Sequence, residues 1–291
     1  MQIFDSIAAL RAALRHRSQI AFVPTMGNLH AGHCHLAKIA KQHAECVVVS
    51  IFVNPLQFGK NEDLAKYPRT FDEDCAKLKE IGVDYIFAPS VAEMYPNFDG
   101  KDLHQTMTVT PPPIANELCG ASRPGHFAGV ATVVMKLFNI VQPNVAIFGK
   151  KDFQQLFVIR ELVRQFNLSI EIIGGETIRE ESGLAMSSRN GYLSAADKLE
   201  APRLNKVLQL IIDTMRKEGG HISVEKVQEF EQTSTDYLAQ LGWQVDYISI
   251  RSATTLEKAT PDDQHLVVLA AAKLGNTRLI DNMEFHIEEP H

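Results

Sequence analysis

The first 175 residues alternate between short apolar runs and longer amphipathic runs. The short runs are rich in β-branched residues, as at 46–53, which is typical of strands buried on both faces of a parallel sheet. The longer runs place apolar residues three or four positions apart, as at Leu156, Ile159 and Val163, which is the spacing of one helix face. The alternation predicts right-handed βαβ crossovers and an α/β fold, a Rossmann-like doubly wound parallel sheet.

The predicted elements of this part can be placed individually. The strands are expected at 20–23, 46–53, 83–87, 145–148 and 169–173, and the helices from about 32 and at 71–81, 127–141 and 152–166. After Gly174-Gly175 two helices, at 195–217 and 223–241, flank the helix-breaking pair Gly219-Gly220, and strands follow at 245–250, 265–270 and 277–280. This order predicts a second, smaller α+β domain. The predicted domains are 1–176 and 177–291, the second acting as a lid.

Composition and charge narrow the class of protein. A chain of 291 residues suits two domains, and an apolar fraction of 45% excludes a disordered or fibrous protein. The net charge of −6 argues against a nucleic-acid-coating protein, although a phosphorylated small molecule needs only a few local cations. The four cysteines are far apart in the sequence, which argues against a disulfide framework. The early acidic residue Asp5 argues against a signal peptide. The longest apolar runs are too short to span a bilayer. We expect a cytoplasmic protein with reduced thiols that binds neither membrane nor nucleic acid.

The most informative stretch follows the first predicted strand and opens the next helix. It is Pro24-Thr25-Met26-Gly27-Asn28-Leu29-His30-Ala31-Gly32-His33. Ligands bind at the carboxyl ends of strands in open α/β sheets, and N–H groups at a helix N-terminus attract phosphate. The glycines permit tight turns, and the histidines add donors for charge developing on a phosphate. Nucleotide-phosphate binding is therefore favoured over surface histidines and over a zinc site completed by Cys34 or His35, for which no second ligand pair follows.

Three further polar segments are expected near this stretch. One follows the strand at 145–148 and reads Gly149-Lys150-Lys151-Asp152-Phe153-Gln154-Gln155. Its lysines can neutralise triphosphate oxygens, and Asp152 can accept ribose hydroxyls or cap the helix. Gln57 follows the strand at 46–53, and the third segment is Met186-Ser187-Ser188-Arg189-Asn190, either an anion clasp or an ordinary turn. Each segment alone is a weak indication, but the predicted topology makes them converge.

Together these residues resemble two known families. The stretch at 24–33 resembles the HxGH signature of the nucleotidylyltransferase superfamily, and 186–189 resembles its KMSKS-type loop in a degenerate form. More narrowly, five segments in order resemble the pantothenate synthetase family of pantoate–β-alanine ligases. They are 22–33, 51–58, 122–127, 151–156 and 186–192. The resemblance covers nearly the whole chain, loosely after about residue 200; HxGH alone is specific only to the superfamily.

The resemblance implies an AMP-forming ligase of pantothenate and coenzyme A biosynthesis, with ATP as a substrate. The pantoate carboxylate would attack the α-phosphate of ATP, giving pantoyl adenylate and pyrophosphate. The β-alanine amine would then attack the acyl carbon and release AMP. In-line displacement at phosphorus depends on positioning and charge neutralisation more than on covalent help, which suits the residues above. Two alternatives stay open, a nucleotidylyltransferase that keeps the nucleotide on its product and a non-catalytic nucleotide-binding module.

The resemblance also implies roles for individual residues in catalysis. His30 and His33 would contact the phosphates of ATP, and the general-acid role falls on His33. Lys151 would stabilise the pentacovalent phosphate, Asp152 would hold the ribose, and the backbone of Ile178 would reach adenine. The other expected ATP contacts are Pro24, Thr25, Met26, Gly27, Asn28, Leu29, Ala31, Gly32, Gly149, Lys150, Met186, Ser187, Ser188 and Arg189.

The remaining implications concern the other substrates and the assembly. Gln57 and Gln155 would bind pantoate, with Gln57 also near β-alanine, while Arg123 and His126 are expected near the site without an assigned role. Mg²⁺ should accompany ATP, held by its phosphates and by carboxylates that the sequence does not identify. A homodimer is implied. Two positions depart from the family pattern: Lys150 replaces a residue that is often non-basic, and Ala31 stands where an acid is common.

Overall fold

A computed structural model describes residues 1–59, 64, 68–218 and 223–287. The predicted helix-breaking pair Gly219-Gly220 lies outside the described residues. The chain divides into two compact units. The first comprises Met1–Lys150 and Gln154–Glu176, and the second comprises Lys151–Phe153 and Thr177–His291.

The first part of the chain forms the parallel sheet and its helices. The strands are β1 (Gln2–Phe4), β2 (Ile20–Thr25), β3 (Cys46–Ile51), β4 (Tyr85–Phe87), β5 (Val145–Gly149) and β6 (Glu171–Gly175). The helices are α1 (Ile7–Leu14), α2 (Ala31–His43), α3 (Phe71–Ile81), α4 (Val91–Met94), α5 (Cys119–Ser122), α6 (His126–Val141) and α7 (Phe153–Gln165). Within the described residues the strand order is β1-β4-β3-β2-β5-β6, with all pairs parallel.

Alternating strand residues build a core on each face of this sheet. Phe22 and Val48 pack in one cluster with residues of α1, α6 and α7. Their neighbours Ala21 and Val47 pack in another with residues of α2 and α3. Successive side chains of a strand point to opposite faces, so helices cover both sides. The predicted doubly wound α/β fold is confirmed.

Two strands differ from their predicted form. β1 was not predicted, because a three-residue strand at the sheet edge, with two of its residues exposed, has no readable period. β2 was expected to end before Pro24 but continues to Thr25, with Pro24 opposite Ser50 of β3. Its pairing with β5 involves Ala21 and Phe22, so Pro24 lies beyond that ladder, where a missing N–H costs little.

The second unit contains an antiparallel sheet and three helices. Its strands β7 (Gln244–Ser252), β8 (His265–Leu274) and β9 (Thr277–His286) lie in sequence order, and its helices are α8 (Ala195–Glu200), α9 (Arg203–Glu218) and α10 (Val224–Gln240). Leu208 and Ile211 of α9 pack in one cluster with Val268 of β8, so the predicted smaller α+β part is present. The expected single helix at 195–217 is wrong. Pro202 separates α8 from α9, since proline has no N–H to donate inside a helix but is tolerated in a first turn.

Two observations concern the expected reduced thiols and the expected lack of a membrane-spanning segment. Cys34, Cys46, Cys75 and Cys119 are free thiols. Burial raises the pKa of Cys34, Cys46 and Cys75, which disfavours the reactive thiolate. In the part of the chain that the structure describes, every helix is too short or too polar to cross a bilayer.

An exposed loop between α4 and α5 contains a histidine–carboxylate pair that can be tested. Asp99 accepts the N–H groups of Lys101 and Asp102 at 2.9 and 2.8 Å and lies 2.7 Å from His104 Nε2. The hydrogen bond to Asp99 raises the pKa of His104, and that bond with the two N–H donors lowers the pKa of Asp99. Any stabilisation from the pair is therefore present at low pH, while Asp99 remains ionised, and is lost as pH rises through the raised pKa of His104.

We expect an NMR titration of His104 to give a midpoint above that of an ordinary histidine. Asp99→Asn should return the midpoint to the ordinary value, because it removes the carboxylate. A midpoint that Asp99→Asn leaves unchanged would contradict this assignment.

Candidate active site

The turn between β2 and α2 has a backbone conformation that few residues adopt. Gly27 and Asn28 have φ values of +82° and +51°, two successive left-handed residues. A Cβ on Gly27 would lie 3.1 Å from Ile51 Cγ2 and 3.2 Å from Asp74 Oδ2, so glycine is also favoured by space. The Thr25 hydroxyl accepts the Gly27 N–H at 3.2 Å and donates to the Ser50 carbonyl at 2.7 Å. The turn is thus tied to the end of β3.

The two predicted histidines cap α2 reciprocally. His30 Nδ1 accepts the N–H of Gly32 at 3.1 Å, and His33 Nδ1 accepts the N–H of His30 at 3.3 Å. Their ring centroids are 4.2 Å apart. An Nδ1 atom that accepts carries no proton, so each neutral ring carries its proton on Nε2 and can donate from there. A Cβ on Gly32 would lie 2.8 Å from His30 Cε1, which explains the glycine between the histidines.

Two side chains of helix α3 hydrogen-bond to the backbone of this turn. Asp74 is fully buried, and its carboxylate accepts the N–H groups of Asn28 and Leu29, each at 2.8 Å. Lys77 Nζ donates to the Leu29 carbonyl at 2.7 Å. Contacts of ATP with Asn28 or Leu29 therefore cannot use these two backbone N–H groups without displacing Asp74.

Gln57 ends a short 3-10 turn directly after β3, and its amide is oriented by neighbours. The turn is capped by Asn54, which is 1% exposed. Asn54 Nδ2 donates to Gln57 Oε1 at 3.1 Å, and the Tyr95 hydroxyl donates to Asn54 Oδ1 at 2.5 Å. Burial raises the pKa of Tyr95, so its hydroxyl stays protonated and remains a donor. Gln57 Nε2 lies 3.1 Å from Met26 Sδ, which brings two predicted substrate contacts together.

Arg123 and His126, for which no role was predicted, contact this same turn. His126 Nδ1 lies 2.9 Å from the Gln57 carbonyl, and Arg123 NH1 lies 3.0 Å from His126 Nε2. Arginine can only donate, so His126 accepts through Nε2 and donates through Nδ1 to the carbonyl. The pair fixes the backbone of Gln57 at the start of α6.

The segment at 149–155 contains both exposed and structural residues. Lys150 Nζ lies 2.5 Å from Glu176 Oε1, although that glutamate is largely exposed. Lys151 and Asp152 form, with Lys150, a 3-10 turn before α7, and Asp152 is exposed. Gln155 is half-buried in the first turn of α7. The sequence predicts no role for its neighbour Gln154, but the amide of this buried residue donates to the Ile114 and Glu117 carbonyls, each at 2.9 Å.

In the second unit, the Met186 segment pairs with the chain around Ile178. The Met186 N–H donates to the Ile178 carbonyl at 2.9 Å, so these two predicted ATP contacts are neighbours. Ser187 caps the following 3-10 turn by accepting the Arg189 N–H at 3.2 Å. Lys151 lies in the same unit, and its carbonyl accepts from Asn282 Nδ2 at 2.8 Å.

The arrangement of the possible metal ligands bears on the zinc alternative. Within the described ranges, no group of three or more His, Cys, Asp or Glu side chains is arranged to hold a metal ion. The zinc alternative around Cys34 or His35 therefore gains no support. The geometry instead suits an anionic ligand, with imidazole donors and a neutral amide at the carboxyl edge of the sheet.

Comparison with known proteins gives the family. The family model for pantoate-beta-alanine ligase matches residues 2–284. The pantothenate synthetase of Methylobacillus flagellatus is 64% identical over 99% of both chains, and that of Thiobacillus denitrificans is 54% identical over 98% of this chain and 97% of its own. The chain belongs to the pantoate–β-alanine ligase family. The predicted family and ligase activity are thus confirmed, and the nucleotidylyltransferase and non-catalytic alternatives are set aside.

Solved structures agree with this assignment of the ligase. The pantothenate synthetase of Thermus thermophilus superposes with a TM-score of 0.88 at 41% identity, covering 97% of this chain and 99% of its own. The pantoate–β-alanine ligase of Francisella tularensis, complexed with beta-gamma ATP and β-alanine, gives 0.77 at 34% identity and 97% coverage of both chains. The fold of the ligase is therefore that of its family over nearly the whole chain.

Sequence reasoning missed the residues that hold the site of the ligase in place. Asn54, which is bonded to Tyr95, holds the Gln57 amide, and Asp74 holds the turn at 27–29. Gln154 instead bonds to the carbonyls of Ile114 and Glu117, beside the first turn of α7. Asn54 carried a local signal, since an asparagine between a strand and a proline is a common cap. The other three had none, because their partners lie far away along the chain.

Proposed function

We propose that this ligase activates pantoate as an acyl adenylate before joining it to β-alanine. A carboxylate oxygen of pantoate forms a bond to the α-phosphorus of ATP, and the bond to the bridging oxygen breaks as pyrophosphate leaves. The β-alanine nitrogen then bonds to the acyl carbon and loses a proton, while the carbon–oxygen bond to AMP breaks. The Francisella relative, complexed with beta-gamma ATP and β-alanine, supports this choice of substrates.

The observation that carries the proposal is the reciprocally capped pair of His30 and His33. Both Nδ1 atoms accept backbone N–H groups, so both neutral rings offer Nε2–H to a ligand at the carboxyl edge of the sheet. Donors held in place before the reaction stabilise developing phosphate charge without reorganisation. A neutral His33 that released its Nε2 proton would become an imidazolate. We therefore assign His33 hydrogen-bond donation to the leaving pyrophosphate, and its general-acid role stays a prediction.

The other ATP contacts are proposed by position. Lys151 supplies positive charge to the phosphate undergoing substitution, and Asp152, exposed in its turn, accepts the ribose hydroxyls. The paired backbone at Ile178 and Met186 contacts adenine, and Ser187 to Arg189 contact the phosphates. Lys150, whose ammonium pairs with Glu176, is also assigned to the phosphates of ATP.

Pantoate is assigned to Gln57 and Gln155. Gln57 is 8% exposed and its Oε1 atom accepts from Asn54, so Nε2 is directed toward Met26 as a donor. A neutral amide can recognise the hydroxyls and carboxylate of pantoate without neutralising the nucleophile. The same position serves β-alanine in the second step.

Magnesium, assembly and location complete the proposal. Mg²⁺ would enter with ATP, held by its phosphates and by one or two carboxylates of the protein. No step is assigned to it beyond neutralising phosphate charge. A cytoplasmic homodimer is proposed from the family pattern.

The deciding experiment follows pyrophosphate and AMP separately. With ATP, Mg²⁺ and pantoate, we expect pyrophosphate release that depends on pantoate, and AMP only after β-alanine is added. Pyrophosphate release without pantoate would refute the proposed order. AMP release that does not need β-alanine would identify a hydrolase or a different acceptor.

A further inference from the structure

Asp74 lies outside the predicted catalytic set, yet its carboxylate contacts the turn directly before two members of that set, His30 and His33. It is fully buried on α3, 45 positions from Leu29 along the chain. Oδ2 accepts the Asn28 N–H and Oδ1 accepts the Leu29 N–H, each at 2.8 Å, while the Thr70 hydroxyl donates to Oδ2 at 3.2 Å. A carboxylate is costly to bury unless its oxygens are hydrogen-bonded, and these donors satisfy it.

The turn needs this carboxylate because of its backbone. Gly27 and Asn28 are both left-handed, and a left-handed non-glycine residue is unfavourable unless its surroundings hold it. In this conformation the N–H groups of Asn28 and Leu29 converge on one anion, as in backbone anion-binding concavities. Asp74 supplies that anion from inside the protein.

A second contact from the same helix acts on the same peptide units. Lys77 Nζ donates to the Leu29 carbonyl at 2.7 Å, so both the N–H and the carbonyl of Leu29 are held by α3. Leu29 directly precedes His30, whose Nδ1 caps α2. The position of both catalytic histidines is thereby linked to the buried carboxylate.

We propose that Asp74 is a positioning residue for adenylate formation. It fixes the turn at 27–29 so that Nε2 of His30 and of His33 are held ready for the phosphates of ATP. The inference rests on the proposed role of the histidines. A magnesium ligand at Asp74 is the competing assignment, and it conflicts with the two oxygens that already accept three protein donors.

The kinetic test compares Asp74→Asn with Asp72→Asn, an exposed neighbour that loses the same charge from the same helix. For Asp74→Asn we expect the kcat of pantoate-dependent pyrophosphate release to fall at least about tenfold and the KM for ATP to rise, since small misplacements of reacting groups are costly. The KM for β-alanine and the Mg²⁺ concentration for half-maximal activity should stay unchanged. Asp72→Asn should remain within about twofold of wild type, because surface substitutions usually have small effects.

Three kinetic outcomes would overturn the proposal. A raised Mg²⁺ requirement in Asp74→Asn would identify a metal ligand. A lower kcat with every KM unchanged would indicate only a smaller folded fraction. An equal loss in Asp72→Asn would show that the charge, rather than the contact, matters.

Amide hydrogen exchange tests the contact itself, whether or not the chain consumes pantoate. In Asp74→Asn we expect the Asn28 and Leu29 amides to exchange faster, because hydrogen-bonded amides are protected until they open, while β3 keeps its protection. Unchanged exchange would refute the inference even if the ligase reaction is confirmed. If Asp74→Asn does not fold, Lys77→Met serves instead, since it removes only the bond to the Leu29 carbonyl. It should give faster exchange at the turn and a raised KM for ATP, and wild-type values for both would refute the proposal.

Discussion

His33→Ala should lower the rate of pantoate-dependent pyrophosphate release by about 10²–10³-fold, the loss expected for one donor to developing charge. We expect two contributions from this side chain. Nδ1 accepts the His30 N–H at 3.3 Å, and Nε2 is the donor proposed for the phosphates of ATP. Loss of the first should cost only about 1 kcal/mol of folding stability, as for other helix caps. Catalysis should therefore suffer far more than the melting temperature.

Two further variants separate these contributions. His33→Asn keeps an acceptor near the position of Nδ1 but has no group that replaces Nε2, so it should melt like wild type and remain as slow as alanine. His35→Ala removes a half-buried histidine from the same helix and should retain normal rates. Steady-state pyrophosphate release and thermal unfolding of each variant provide the measurements. A fast His33→Asn enzyme would show that the cap, and not the donor, is what catalysis requires.

The sheet could be predicted because its central strands are buried on both faces. Such strands are largely apolar and rich in β-branched residues, and this pattern is visible in β3, which spans Cys46–Ile51. β1 could not be found, since its three residues at the sheet edge carry no such constraint. The apolar residues keep a helical spacing on both sides of Pro202, and this spacing predicts one continuous helix. Proline has no backbone N–H, however, and this alone is a local signal for a break between two helices.

The candidate site could also be predicted only in part. Contacts between neighbouring residues could be predicted from the sequence, whereas contacts between residues far apart in the chain could not. His30, Gly32 and His33 cap one another within a few residues, so their geometry is contained in a short motif. The groups that hold the motif are separated from it in the chain. Asp74 is 45 positions from Leu29, and Tyr95 is 41 positions from Asn54. One sequence contains no pattern that links such residues, because their pairing depends on how α3 and α4 pack on the completed sheet.

Helix α6 approaches the Gln57 turn closely at Gly129. Gly129 has no side chain, and its carbonyl accepts from Asn54 Nδ2 at 3.3 Å. A Cβ there would lie 2.4 Å from the Leu56 carbonyl oxygen and 2.7 Å from Gln57 Cα. Both are backbone atoms, so neither can turn aside as a flexible side chain would. Any side chain at this position must displace the turn that carries Gln57.

Gly129→Ala should therefore lower stability by about 2 kcal/mol, within the range for overpacking a core. A loss of stability would be informative, because alanine in a helix interior is otherwise favoured over glycine by about 1 kcal/mol. Displacement of Gln57 should raise the KM for pantoate at least about tenfold and change the KM for ATP less, since a shift of about 1 Å can cost 10²-fold.

The matched control is Gly59→Ala, two residues beyond Gln57, where an added Cβ would meet no atom of the described residues within 4 Å. It should leave both stability and the KM for pantoate near wild type. Thermal unfolding and initial rates at varied pantoate measure both effects. A Gly129→Ala enzyme as stable as wild type, with an unchanged KM for pantoate, would show that α6 does not position Gln57. Weaker ATP binding without weaker pantoate binding would instead assign the Gln57 turn to the nucleotide.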